Sequence, residues 1–318
     1  MPHVSNHWKP PMPHFYNHWK SVPNFRSFRF HACRRFLALC LFASAASVSA
    51  QPPRHGIVSL APNLTELAYA LGFGTQLVAR SSACDFPPEA TALPVAGDFG
   101  RPNLEVIERL RPALVILSDV ENPAILQAMR QSGVRCLKCP CEGWTNLLAA
   151  ADQIAGALGD SGRADAWKNL MTARRENIRA RADQFWRGRP RPRVYVEIWR
   201  DPVTTAGADS FLDDLITVSG GINIAHELHP AYPHVAPEWI VHEDPAAIVL
   251  LYMLEKGRDA AADLKSRTGW DTISAVKTGA ICANIPPDLL LRSGPRCLEG
   301  TEKLANFLAT KFPAPPPK

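Results

Sequence analysis

The sequence has no unbroken apolar run of bilayer-crossing length, and its first fifty residues contain no aspartate or glutamate. A spanning helix needs about twenty consecutive apolar residues, which the stretch Phe36 to Ala46 does not supply. That stretch follows Arg34-Arg35 and leads into Val48-Ser49-Ala50, a basic flank, an apolar middle and a small-x-small end. The pattern describes a cleavable secretory signal cut after Ala50. A lipoprotein reading through Cys40 is disfavoured by bulky Leu39 just before it. Met1 to Lys9 recurs as Met12 to Lys20, a duplication with no hydrophobic period.

The signatures of several enzyme classes are also missing. There is no G-x-S-x-G elbow and no G-x-x-x-x-G-K-[ST] phosphate loop, and Gly72-Phe73-Gly74 lacks the third glycine of a dinucleotide fingerprint. A basic field is missing too. The chain carries a formal +5, but six of its 35 basic residues and none of its 30 acidic ones fall within residues 1–50, leaving 29 against 30 and a net of −1. Without that field nothing favours a nucleic acid as partner.

Six cysteines follow residue 50: Cys84, Cys136, Cys139, Cys141, Cys282 and Cys297. An even number in an exported chain argues first for disulfides, with Cys282 and Cys297 as the candidate pair and other connectivities left open. The C-x2-C-x-C spacing of Cys136, Cys139 and Cys141 suggests metal, but no second cluster stands at zinc-ribbon distance.

What is present is β/α alternation. Gly56 to Leu60 reads as a strand, Thr65 to Leu71 as a helix and Gln76 to Ser81 as a second strand, followed by a Pro-rich loop over 82–100. Asn103 caps a helix to Leu110, and Ala113 to Ser118 is apolar without alternation, as in a strand covered on both faces. Helix, strand and helix follow over 125–132, 133–138 and 145–158. A long helix is then expected over Arg163 to Trp186, with Trp167, Leu170, Met171, Ile178, Ala182 and Phe185 on its buried stripe.

After it the pattern restarts. Leu212, Leu215 and Gly220 repeat the spacing of Leu64, Leu67 and Gly72, and Glu238 to Leu250 aligns without a gap on Glu105 to Leu117. The second half is a diverged copy of the first. The expected fold is α/β, two Rossmann-like lobes with mostly parallel sheets joined by one long backbone helix, with a ligand cleft between them. Its parts are a leader and signal over 1–50, a first lobe over 51–160, the connecting helix over 161–188 and a second lobe over 189–318. A single crossing between lobes predicts small, springlike closure.

The run Ile57-Val58-Ser59-Leu60-Ala61-Pro62-Asn63-x-Thr65-Glu66-Leu67 and the later Pro102-Asn103-Leu104-Glu105, Thr205-Ala206-Gly207 and Gly220-Gly221-x-Asn223-Ile224 resemble the periplasmic vitamin B12-binding protein family, over nearly all of residues 56–311. That family belongs to the helical-backbone class of ABC-importer binding proteins, which also carries ferric siderophores and haem. The resemblance implies a monomeric periplasmic receptor without a cofactor of its own, which takes cobalamin or a related corrinoid and hands it to an inner-membrane permease dimer with its ATPase subunits. It implies permease docking through Glu105 and Glu238. It also implies ligand contacts at Ala83, Asp85, Phe86, Phe99, Thr204, Tyr232 and Asp288, with Ala83 and Thr204 standing where the family pattern has aromatics. Without the resemblance, each glutamate is an acid stabilising the first turn of its helix.

Two features pull elsewhere. His226, His229 and His234 could reach a metal or haem iron, or serve a zinc-dependent hydrolase, or form a solvated loop. Arg292-Ser293-Gly294-Pro295-Arg296 reads as a turn before a helix starting near Leu298, and its arginines suit an anionic siderophore or a haem propionate.

Overall fold

Short apolar runs punctuated by glycine and proline build two four-stranded parallel sheets of identical topology. The computed structural model describes residues 54–140, 142–252 and 259–314, so the expected export signal, the Cys40 alternative and Cys141 lie outside it. The first sheet runs Leu77–Arg80, Ile57–Ser59, Leu114–Leu117, Cys136–Lys138. The second runs Ile222–Asn223, Arg193–Glu197, Ala247–Leu250, Ile281–Cys282. In each, the strand earliest in the chain lies second in space. Both sheets lie within one compact unit.

Burial explains why the central strands show no alternation. Leu114 and Ile116 join one apolar cluster while Val115 and Leu117 join another on the opposite face. In the second sheet Ala247 and Val249 share the first cluster, and Ile248 and Leu250 enter a third. Both faces are covered, so both sets of positions must be apolar.

The shared cluster runs through the 25-residue helix Ser161–Phe185, ~37 Å long at ~1.5 Å per residue. Ala164, Trp167, Met171, Ile178 and Ala182 are its buried positions. They pack it against Trp144–Ala157 of the first lobe and against Phe211–Val218 and Cys297–Lys311 of the second. Leu170, expected on that stripe, is 66 % exposed. At 3.6 residues per turn it stands roughly a quarter turn from the centre of the stripe.

The duplication holds residue for residue where the gapless alignment placed it. Helix Leu104–Leu110 and helix Pro237–Glu243 lie 133 positions apart, as do strands Leu114–Leu117 and Ala247–Leu250. Both helices end on a left-handed non-glycine residue, Arg111 at φ 47° and Asp244 at φ 43°. Helix Pro62–Ala70 begins three residues before the expected Thr65, because a proline is pre-organised for a first helical turn.

The Cys282–Cys297 disulfide does not form. Cys282 donates to Asn284 Oδ1 at 3.3 Å, and both thiols are free and buried in the shared core. Burial raises both, Cys297 to about 12, so each packs as a small apolar group.

Candidate functional site

The carboxyl ends of both sheets and the loops that follow them enclose a cavity of about 400 Å³. From the first lobe it receives Pro62, Asn63, Ala83, Phe99, Glu142 and the segment 118–120. From the second it receives Phe211, Tyr232, Asp288, Leu291, Arg292 and Ser293. Pro62 and Phe211 each open the first helix of their lobe, so the duplication itself aims two equivalent helix starts at one space. Ligands of open α/β sheets sit at this end because the strands stop there and the loops diverge.

Of the residues expected to meet a ligand, Ala83, Phe99, Tyr232 and Asp288 line this cavity together. Asp85 stands beside it, accepting from Arg292 at 2.6 and 3.2 Å. Those bonds hold its carboxyl below the ordinary aspartate value. Two others are off the wall. The Phe86 ring lies 3.9 Å beneath the Arg296 guanidinium, a cation–π contact that turns it away. Thr204 belongs to the Trp199–Arg200/Val203–Thr204 hairpin, where its hydroxyl donates to Pro202 O at 2.9 Å and lies 3.0 Å from His234 Nδ1.

Glu142, which sequence reasoning missed, spans the cleft. Tyr232 donates its hydroxyl to both Glu142 oxygens at 3.1 Å, and the Phe211 amide donates to one of them at 3.3 Å. Burial and the adjacent carboxylate push the Tyr232 phenol well above its usual range, so it remains a donor. Ser118, Asp119 and Val120 were also missed, although their place just beyond a doubly buried strand could have marked them. Glu142 carries no such local signal, since its partners lie about 70 and 90 residues away.

The second tie between lobes is ionic. Glu66, 3 % exposed, accepts from Arg296 at 2.9 and 2.6 Å and from Arg292 at 3.2 Å. Arg292 also pairs with Asp288 at 3.2 Å. Asn63 adds a bond to Ser293 O at 3.1 Å. The Arg292 to Arg296 turn thus faces the other lobe, and the helix beyond it starts at Cys297.

The three histidines do not converge. His226 Nδ1 is 2.9 Å from Asp213, His229 Nδ1 is 2.8 Å from Asp209, and His234 is taken by Thr204. Among the described residues no group of three such side chains could hold a metal. Glu105 and Glu238 are both exposed, in the first turns of the two equivalent helices, and neither has a hydrogen bond or ion pair among the described residues.

The chain is similar to several known proteins. A profile of the family described as periplasmic binding protein matches residues 57–286. An uncharacterised ABC transporter substrate-binding lipoprotein of Bacillus subtilis, YvrC, is 30 % identical over 84 % of this chain and 83 % of its own. The vitamin B12-binding protein of Vibrio cholerae is 27 % identical over 86 % of this chain and 96 % of its own. The crystal structure of the periplasmic haem-binding protein HutB of Vibrio cholerae superposes with a TM-score of 0.71 at 25 % identity, covering 80 % of this chain and 99 % of that one.

Proposed function

We propose that this chain, a member of the periplasmic binding protein family, captures a corrinoid, cobalamin first, between its lobes and delivers it to an inner-membrane ABC importer. The observation that carries this reading is the cavity itself. Phe99 and Val120 from one lobe and Tyr232 and Leu291 from the other offer apolar walls to a flat macrocycle, while Asp119, Glu142 and Asp288 offer acceptors to the amide groups around its edge. The relative named for vitamin B12 binding, matched along nearly its whole length, supports the same ligand.

Capture and delivery use different parts of the molecule. Residues 51–160 and 189–318 act as the two lobes and 161–188 as the strut between them. Glu105 and Glu238, unpaired and at equivalent points of the two copies, suit a permease dimer whose two subunits offer equivalent basic pockets. Export to the periplasm is carried by the signal within residues 1–50, and the receptor acts as a monomer without a cofactor.

A haem-binding reading is favoured by solved relatives titled as haem-binding, HutB among them, and by Arg292 in the cavity wall. Calorimetric titration of the chain from Gln51 onward, with cyanocobalamin, haem and a ferric hydroxamate in parallel, separates the readings. Sub-micromolar one-to-one binding of cyanocobalamin alone is expected. Binding of haem or the ferric chelate with silence towards cyanocobalamin would overturn the corrinoid assignment and leave the receptor assignment standing.

A further inference from the structure

The charged groups around the cavity are unbalanced, and the balance is set by a residue outside its wall. Asp119, Glu142 and Asp288 line the cavity, and Arg292 is the one lysine or arginine among the lining residues. Its guanidinium is already committed on three sides, to Glu66 at 3.2 Å, to Asp85 at 2.6 and 3.2 Å and to Asp288 at 3.2 Å. Arg296, the second cation at this end, is held by both oxygens of Glu66 and covered by Phe86. Beside Arg292, Ser293 lines the same cavity at 8 % exposure, and its Oγ has no hydrogen-bond partner among the described residues. A ligand entering this space meets three carboxylates and a neutralised guanidinium.

We propose that the cavity admits neutral or cationic ligands rich in amides and rejects ligands bearing carboxylates, and that Glu66 sets this selectivity by withholding Arg292 and Arg296. Glu66 is therefore a positioning residue, acting through the two arginines. In a site partly shielded from water, like charges repel far more strongly than in bulk solvent, so an incoming carboxylate is penalised. A primary amide donates to the wall carboxylates. The inference rests on the reading of this cavity as the ligand site.

The test compares ligands of one shape and two charges. Dicyanocobyrinic acid, with its peripheral carboxylates free, and its fully amidated counterpart are titrated into the wild-type chain and into Glu66→Gln, with binding read by calorimetry. The amide form is expected to bind the wild type at least about 100-fold more tightly, and Glu66→Gln to narrow that gap at least about tenfold by admitting the acid. Should Glu66→Gln fail to fold, Asp85→Asn at the cavity rim relieves Arg292 of another acid and should narrow the gap in the same direction. Equal binding of both forms by the wild type overturns the charge rule, and an unchanged gap in the folded variant overturns the role of Glu66. If neither corrinoid binds, the corrinoid assignment fails and the charge rule is decided by haem against its dimethyl ester. Tighter binding of the ester supports the rule, while tighter or equal binding of the free acid, or no binding of either, overturns it.

Discussion

Glu66 and Asp214 occupy the same point of the two copies, two residues beyond Leu64 and Leu212, yet they are used in opposite ways. Glu66 is sealed, 2 % exposed at its side chain, and binds two arginines of the other lobe. Asp214, 32 % exposed, binds Arg175 of the backbone helix at 2.5 Å, and that guanidinium stacks on Trp144 at 5.2 Å. A duplicated framework thus conserves where an acid stands while the partner lobe decides what it does. One acid ties the lobes across the cleft, and the other ties the second lobe to the strut.

The largest effect that tests equivalence between the lobes concerns delivery. Replacing Glu105 and Glu238 together by Ala should leave cyanocobalamin affinity within about twofold while uptake into cells depending on this receptor falls to background. Each single variant should be intermediate, since rim charges act mainly on encounter. A loss of affinity instead would place the docking residues at the ligand site.

The next effect separates the two acids. Replacing Arg292 and Arg296 together by Met strands the Glu66 charge in the interior and should cost about 3–5 kcal/mol in urea unfolding. Asp214→Ala removes a partly exposed pair and should cost about 1 kcal/mol or less. Similar losses for both would break the distinction drawn between them.

Smaller effects lie at the ends of the equivalent helices. Asn103 caps Leu104–Leu110 by accepting from the Val106 amide, whereas Ala236 caps Pro237–Glu243 with no side-chain bond. Asn103→Ala should therefore cost about 1 kcal/mol, and Ala236→Gly much less. At the other end, Asp244 accepts from the Ser274 amide at 2.6 Å and from its hydroxyl at 2.8 Å, and these bonds hold its carboxyl below the ordinary aspartate value. Its folded form binds the proton less tightly than its unfolded form. Its contribution is therefore full above the ordinary aspartate value and is lost as pH falls through the depressed one. Arg111, at the matching position, carries no carboxyl group. Asp244→Asn should flatten the acid side of the stability profile slightly, and an unchanged profile would remove this asymmetry.

Much of the fold was legible because its signals are local. Gly72 and Gly220 stop equivalent helices at φ 78° and 91°, a conformation that favours glycine. Asn103 announces a cap, and the gapless match of 105–117 with 238–250 placed two helices and two strands correctly. The cavity was only half legible. Phe99 and Tyr232 sit in proline- or glycine-punctuated loops, where ligand-facing aromatics are expected, but Phe86 has the same local character and lies under Arg296 instead. Cysteine parity suggested a bridge, but Cys282 faces Asn284 rather than Cys297.

Local patterns along the chain specify the order of strands and helices, the repeat of one unit, the strut between the copies and the equivalence of Glu105 with Glu238. Periodicity, capping and turn chemistry act over a few residues, so one chain suffices to read them. How the lobes meet settles that Glu66 meets Arg296 from 230 residues away, that Glu142 spans the cleft to Tyr232, and that the Ser293 Oγ is left without a partner among the described residues. Those outcomes depend on how two sheets are held against one helix, and no local pattern encodes that geometry.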